Sequence, residues 1–263
     1  MTTNTTADDL IQITQEGGVM TATFNRPEKK NALTHTMYEA MIDALEQAEA
    51  EPGVRVLCFR GAGGCFTSGN DLKDFLGNPP SDPKNSPVMR FLHALIDMKK
   101  PLAAAVQGPA IGIGATMLLH CDLVIAAPDA VFQMPFTKLA LCPEAGSSYL
   151  LPRVVGTTRA LSLLLSSQSL DAATAAQWGL VTEVASTDQF DAVVTERLNA
   201  LAALPPEAVR TAKALVRDPE RDAAHEAVNR EAAQFLQRLM SAEAAEAMQA
   251  FLERRQPDFS RFE

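Results

Sequence analysis

Hydrophobic and polar positions alternate at the start of the chain and then take up a helical spacing. Residues 10–24 alternate on either side of Gly17 and Gly18, which predicts a hairpin of two strands. From residue 34 to residue 50 apolar side chains recur every three or four positions, which predicts an amphipathic helix. Residues 54–61 follow as an apolar run, which predicts a buried strand.

Strand-like and helical patterns continue to alternate through the middle of the chain. Apolar runs at 102–108 and 122–127 each predict a buried strand, and a glycine-rich turn and a short helix separate them. Strand–helix–strand repetition of this kind is typical of a largely parallel sheet covered by helices. The proline-rich residues 77–87 predict an irregular surface loop, followed by a helix at about 88–98.

Beyond residue 157 the pattern is almost wholly helical and rich in alanine. Residues 177–184 form the one predicted extended exception, and residues 222–255 predict two amphipathic helices. We expect the apolar stripes of these helices to pack on the core or on a second subunit.

Composition and charge narrow the classes of function. The chain has 263 residues, 47% of them hydrophobic and 21% charged, which is typical of a globular protein with a sizeable core. Its net charge of −9 argues against general binding to nucleic acid, which needs a basic surface. The apolar stretch 102–127 is broken by Gln107, Pro109 and Asp122, so we expect no membrane span. The polar, acidic N-terminus is unlike a signal or transit peptide. Four widely spaced cysteines predict reduced thiols in a cytoplasmic protein without a metal site.

One carboxylate lies among apolar residues, and its presence there requires an explanation. Glu144 is the only charged residue in the segment LALCPEAGSSYLLP, residues 139–152. Such a group is costly to ionise unless something pairs with it or uses it. Two compatible interpretations follow: Glu144 is a catalytic base, or it caps a helix that starts with SSYLLP.

Two glycine-rich turns are candidate binding elements. In FTSGNDLKDF, Gly69 allows the backbone to approach a ligand, and the amides of Ser68 and Asn70 are available as donors near a helix start. In GPAIGIG the glycines free the amide of Ile113, whereas Met117 stands where a dinucleotide-binding turn has its third glycine. Turns that pack or cap without binding anything are the alternatives. Together, the two turns predict an oxyanion hole beside a carboxylate base.

These motifs, with NRPEKKNAL and AQWGLVTEV, occur in an order that resembles the crotonase superfamily, the enoyl-CoA hydratases and isomerases. The resemblance implies an α/β crotonase-like spiral of repeated strand–strand–helix units over residues 1–200. It implies a helical region at 201–263 that builds a homotrimer, often paired into a hexamer. It also implies an oxyanion hole made by the amides of Asn70 and Ile113, which bind the oxygen of an acyl-CoA thioester. No cofactor is expected beyond the CoA that the substrate itself carries.

The glutamate pattern distinguishes branches of that family. Hydratases typically use two glutamates, and the matching positions here are Thr116 and Phe136, neither of which is a carboxylate. The setting of Glu144 instead resembles the peroxisomal-type delta(3)-delta(2)-enoyl-CoA isomerases, in which a single glutamate moves a proton from the alpha to the gamma carbon. A 2-enoyl-CoA hydratase and a non-catalytic acyl-CoA-binding protein are the alternatives.

The resemblance also implies residues that contact the acyl-CoA. Arg26 lies in the basic loop that is expected near the nucleotide, although an exposed basic loop explains it equally well. The predicted substrate-binding residues are Arg26, Ser68, Gly69, Asp71, Leu72, Lys73, Gly112 and Phe136.

Overall fold

A six-stranded sheet organises the chain. The computed structural model describes residues 10–77, 85–253 and 255–262. The strands of the larger sheet are β1 (Ile11–Glu16), β2 (Val19–Phe24), β3 (Val56–Gly61), β4 (Leu102–Val106), β6 (Leu123–Ala126) and β9 (Glu183–Val184), in the spatial order β1-β2-β3-β4-β6-β9. Within this sheet, β1 and β2 pair antiparallel and the other four strand pairs are parallel. The predicted hairpin and largely parallel sheet are confirmed.

The central strands β3, β4 and β6 are buried on both faces of the sheet, which explains why they are nearly continuous apolar runs, whereas the edge strand β1 is largely exposed. In β3, Leu57 and Phe59 join one hydrophobic cluster, whereas Val56 and Cys58 join a second cluster on the other face. Successive side chains of a strand point to opposite faces, so a strand covered on both sides needs apolar residues at every position.

Helices pack against the sheet and against one another. They are α1 (His35–Ala50), α2 (Leu72–Gly77), α3 (Pro87–Asp97), α4 (Ile113–Thr116), α5 (Ser147–Val155), α6 (Thr157–Ser166), α7 (Ala172–Trp178), α8 (Phe190–Ala202), α9 (Pro206–Leu239) and α10 (Ala242–Glu253). Short 3₁₀ turns occur at Pro27–Lys29, Met117–His120 and Thr137–Leu139. Helices α1 and α3 pack together, and α8 lies across the second cluster through Phe190, Val194 and Leu198.

A second, three-stranded sheet is the first difference from the predicted elements. It consists of β5 (Pro109–Ile111), β7 (Val131–Gln133) and β8 (Ser169–Asp171), in the order β5-β7-β8. Part of the predicted glycine turn is thus a short strand, and β8 is a second extended segment in the C-terminal half. Three-residue strands leave no periodicity for a sequence pattern to detect, because pairing with distant partners alone makes them strands.

The C-terminal helices also differ from the prediction. Helix α9 has 34 residues and runs through Pro219, so it begins well before the predicted position 222. Residues 177–178 end helix α7, and only Glu183–Val184 of the predicted extended segment pairs in the sheet. Packing of α9 against α3 and α5 supplies the stabilisation that offsets an internal proline. Most of the predicted loop at 77–87 lies outside the described residues.

Candidate active site

A cavity of about 1400 Å³ collects the residues that the sequence singled out. Its walls include both glycine-rich turns and the side chain of Glu144. All eleven predicted site residues line it: Arg26, Ser68, Gly69, Asn70, Asp71, Leu72, Lys73, Gly112, Ile113, Phe136 and Glu144. Further wall residues were not singled out from the sequence. They are Lys138, close to Phe136, and residues of the C-terminal region: Phe235, Met248, Phe251 and Arg255.

The two glycine turns touch each other. Thr67 and Ala110 form a parallel bridge between them. Gly69 has φ +90°, and a Cβ added there would lie 2.8 Å from the carbonyl oxygen of Ile111. A side chain at this position would push the turns apart, so glycine is what lets the two backbones meet.

Backbone alternation leaves the amide of Asn70 free to donate. The carbonyl of Gly69 and the amide of Asp71 both bond to Leu33, at 2.8 Å each. The N–H between them must therefore point to the opposite side, and no acceptor for it exists within the described part of the chain. Tyr38 holds the Asn70 side chain, because its hydroxyl donates to Oδ1 at 2.6 Å.

The amide of Ile113 is the second free donor. Ile113 opens α4 directly after Gly112, which has φ +57°. The first amides of a helix have no partner inside it, and in the described ranges the N–H of Ile113 finds none outside it either. The neighbouring amide of Gly112 is used, since it donates to the carbonyl of Gln133 at 2.8 Å.

Glu144 is buried, with 9% of its surface exposed. The Thr116 hydroxyl donates to its Oε1 at 2.6 Å. Burial raises the pKa of Glu144 to about 7, the hydrogen bond from Thr116 works against that rise, and the charge of Glu231 adds to it. A carboxyl with this pKa can both accept and return a proton near neutral pH. The Thr116 hydroxyl thus orients the Glu144 carboxylate.

The alternative that Glu144 caps helix α5 is wrong. The cap is Glu231 of α9, whose carboxylate accepts from the amides of Gly146 at 2.6 Å and Ser148 at 2.7 Å. Sequence reasoning missed Glu231 because these partners are more than 80 residues away and no local pattern links them.

His120 supports the same turn from inside the core. Its Nε2 lies 2.8 Å from the carbonyl oxygen of Ala145. Burial lowers the pKa of His120 to about 4, so the ring is neutral at pH 7 and Nε2 carries the proton that is donated.

Arg26 and Asp71 form an ion pair at the rim. Nη1 of Arg26 donates to Oδ2 of Asp71 at 2.7 Å and to the carbonyl of Ala32 at 3.0 Å. Oδ1 of Asp71 accepts from the amides of Lys73 and Asp74 and so caps α2. Burial works to raise the pKa of Asp71, but the hydrogen bonds from Arg26 and these amides outweigh it and lower the pKa. Asp71 is thus a structural partner of Arg26 and of α2.

Metal ligands and membrane helices are not found in the parts that the structure describes. Residues 10–77, 85–253 and 255–262 contain no group of three or more His, Cys, Asp or Glu side chains able to hold a metal ion. Among the same residues, no helix has the length and apolar character to cross a bilayer.

The fold and the site together define a member of the crotonase superfamily. They combine a largely parallel sheet, a helical C-terminal region and two touching glycine turns beside a buried glutamate. The chain belongs to the enoyl-CoA hydratase/isomerase family, whose sequence profile matches residues 14–261. The crotonase-like α/β fold is confirmed by a crystal structure of an enoyl-CoA hydratase/isomerase from Pseudoalteromonas atlantica. It superposes with a TM-score of 0.91 at 40% identity, covering 95% of this chain and 99% of that one.

Curated relatives carry more than one name within the family. Enoyl-CoA delta isomerase 2 of Rattus norvegicus is 41% identical over 251 residues, which are 93% of this chain and 64% of the rat protein. This chain thus spans less than two thirds of that relative's length. An enoyl-CoA hydratase of Mycobacterium tuberculosis is 32% identical, covering 94% of this chain and 95% of that protein.

Proposed function

We propose that this protein converts a 3-enoyl-CoA into the conjugated 2-trans-enoyl-CoA, with Glu144 as the proton shuttle. The observation that carries the proposal is the state of Glu144: a buried carboxyl with a pKa of about 7, in one cavity with two free main-chain donors. Proton transfer by a single group in both directions needs this intermediate basicity.

The reaction follows from these groups. Glu144 takes a proton from the alpha carbon, and the electron pair delocalises into a dienolate whose thioester oxygen becomes negative. The amides of Asn70 and Ile113 donate to that oxygen, and such donors each lower a barrier by about 2.7–4 kcal/mol. Glu144 then returns the proton to the gamma carbon, so the double bond moves and the atoms balance. Because Thr116 occupies Oε1, Oε2 is the oxygen that carries the proton.

The chemistry needs no redox partner, and CoA enters as part of the substrate. Lys73 lines the cavity and supplies positive charge for the phosphates of CoA. Arg26 also lines it and supplies the N–H groups that its ion pair with Asp71 does not use. Ser68, Leu72, Gly112 and Phe136 supply the remaining contacts that the resemblance implies. Helices of residues 201–263 would build the trimer or hexamer.

A 2-enoyl-CoA hydratase is the second candidate, because the family and one relative carry that name. Hydration needs a base for water and an acid for carbon. At the two positions expected for that pair, Thr116 is a hydroxyl that is already bonded to Glu144, and Phe136 cannot exchange a proton. Because neither of these two positions carries a carboxylate, the site favours isomerisation over hydration.

The deciding experiment is a paired assay on wild type and Glu144→Gln. We expect wild type to conjugate a 3-enoyl-CoA much faster than it hydrates crotonyl-CoA, and Glu144→Gln to lose isomerisation by about 10²- to 10⁴-fold. Glu46→Gln is the matched control, because Glu46 is exposed on α1. Near-normal isomerase activity in Glu144→Gln would remove Glu144 from the mechanism, and faster hydration than isomerisation in wild type would favour the second candidate.

A further inference from the structure

A second buried carboxylate lies at the turn that carries Glu144. Glu231 is 5% exposed, and both of its oxygens are used. Oε2 accepts from the amide of Gly146 at 2.6 Å, and Oε1 accepts from the amide of Ser148 at 2.7 Å. Hydrogen bonds to a charged acceptor are roughly twice as strong as neutral ones. The mechanism described above does not itself use this group.

The backbone of this turn adopts a conformation that depends on contacts with other parts of the protein. Ala145 has φ +59° and Gly146 has φ +72°, so two successive residues are left-handed. An alanine in that region persists only where its surroundings hold it. His120 holds one side through the carbonyl of Ala145, and Glu231 holds the other through two amides.

Helix α9 also packs directly on this turn. A Cβ added to Gly146 would lie 3.5 Å from Cγ2 of Val228 and 3.7 Å from the carbonyl oxygen of Ala224, which are ordinary contact distances. The thiol of Cys142 lies 3.8 Å from the carbonyl oxygen of Glu231. The segment 142–148 is thus fastened to one stretch of the helix, with Glu231 as its polar contact.

We propose that Glu231 is a positioning residue, which fixes the turn around Gly146 and thereby aims the Glu144 carboxylate into the cavity. The inference rests on the proposed function, since it gives Glu231 its effect through the proton shuttle. A displacement of about 1 Å in a reacting group can cost about 100-fold in rate, so a fixed turn has a measurable consequence.

The charge of Glu231 provides a second measurable effect, on the pH dependence of the reaction. Burial is the main cause of the raised pKa of Glu144, and the charge of Glu231 raises it further. Burial raises the pKa of Glu231 itself, whereas its hydrogen bonds with Ser148 and Gly146 and the charge of Arg230 oppose that rise. Among the described residues, Tyr38 on α1 and Cys142 on the turn have pKa values that these carboxylates raise, and Arg230 on α9 acts on Glu231. Two more ionisable groups are one step removed, since His120 bonds to the carbonyl of Ala145 and Arg238 acts on Cys142.

The test compares Glu231→Gln with Glu226→Gln, a control at an exposed position of the same helix. Glutamine keeps one acceptor oxygen but turns an NH₂ group toward the second main-chain amide, so one hydrogen bond is lost. We expect kcat on a 3-enoyl-CoA to fall about 10- to 100-fold with KM within about twofold. The acid limb of kcat/KM should also move to lower pH, because a negative charge near Glu144 is gone. Glu226→Gln should match wild type in both measurements.

A double variant shows whether the effect passes through Glu144. Glu144→Gln combined with Glu231→Gln should be no less active than Glu144→Gln alone. A further loss as large as that of the single Glu231→Gln variant overturns the inference, and so do a wild-type kcat and an unmoved acid limb in Glu231→Gln. Full activity of the single variant Glu144→Gln is a different result, because it rejects the proposed function.

Glu231→Asp keeps the inference testable if the glutamine variant fails to fold. The shorter side chain retains the charge but cannot reach both amides of the turn. Its kcat should fall while the acid limb stays near the wild-type position. Wild-type kcat in a folded Glu231→Asp overturns the positioning role.

Discussion

The raised pKa of Glu144 predicts that this residue destabilises the folded protein at neutral and alkaline pH. The ordinary pKa of a glutamate is 4.5, against about 7 in the folded chain. Because the folded state binds the proton more tightly, stability from this group is fully present below about pH 4.5 and is lost as the pH rises through 7. At about 1.36 kcal/mol per pH unit, the loss amounts to about 3 kcal/mol.

Replacing Glu144 by glutamine should remove that loss. The amide is neutral at every pH and has nearly the same shape, and its oxygen can still accept from Thr116. We therefore expect the difference in free energy of unfolding between Glu144→Gln and wild type to increase by about 3 kcal/mol, in favour of the variant, from about pH 4 to about pH 8.5. The inactive variant would be the more stable protein, as is common where an active site carries strain.

Urea unfolding of both proteins at several pH values measures this difference. Glu144 dominates the change with pH, because Tyr38 and Cys142, whose pKa values its charge raises, both stay protonated over most of this range. Glu46→Gln is the control for the substitution itself, because Glu46 is exposed. A difference between Glu144→Gln and wild type that is the same at pH 4 and pH 8.5 would refute the reasoning, since Glu144 would then titrate like an exposed glutamate.

Two further predictions concern the partners of the site. Thr116→Val removes a hydrogen bond worth about 1.5 kcal/mol to the ionised carboxylate, so the acid limb of kcat/KM should rise by about one pH unit. An unmoved limb contradicts this, and Thr195→Val, at an exposed position of α8, is the control. Gly69→Ala should lower kcat on a 3-enoyl-CoA about 100-fold or more, because its Cβ would meet the Ile111 carbonyl and separate the two donors. Gly17→Ala is its control, since that glycine also has positive φ but open space around it. An equal loss of kcat in both variants would show that backbone strain alone is responsible.

Much of the large sheet was predictable because its residues repeat a local pattern. The hairpin around Gly17, the helix from His35 and the strand at Val56 each satisfy a periodicity that one element imposes by itself. Strand β8 and the early start of α9 at Pro206 were missed. Both depend on distant partners, since β8 pairs with β7 and α9 packs on α3 and α5.

The sequence by itself determined the main alternation of strands and helices, the glycines that permit two close turns, and the isolation of Glu144 among apolar residues. These properties follow from side-chain polarity and backbone freedom at neighbouring positions, which the chain carries before it folds. Only the tertiary structure decided that the turns touch, that Thr116 bonds to Glu144, and that Glu231 rather than Glu144 caps α5. Those contacts join residues from 28 to 85 positions apart, and burial, which sets the pKa of Glu144, is a property of everything packed around it.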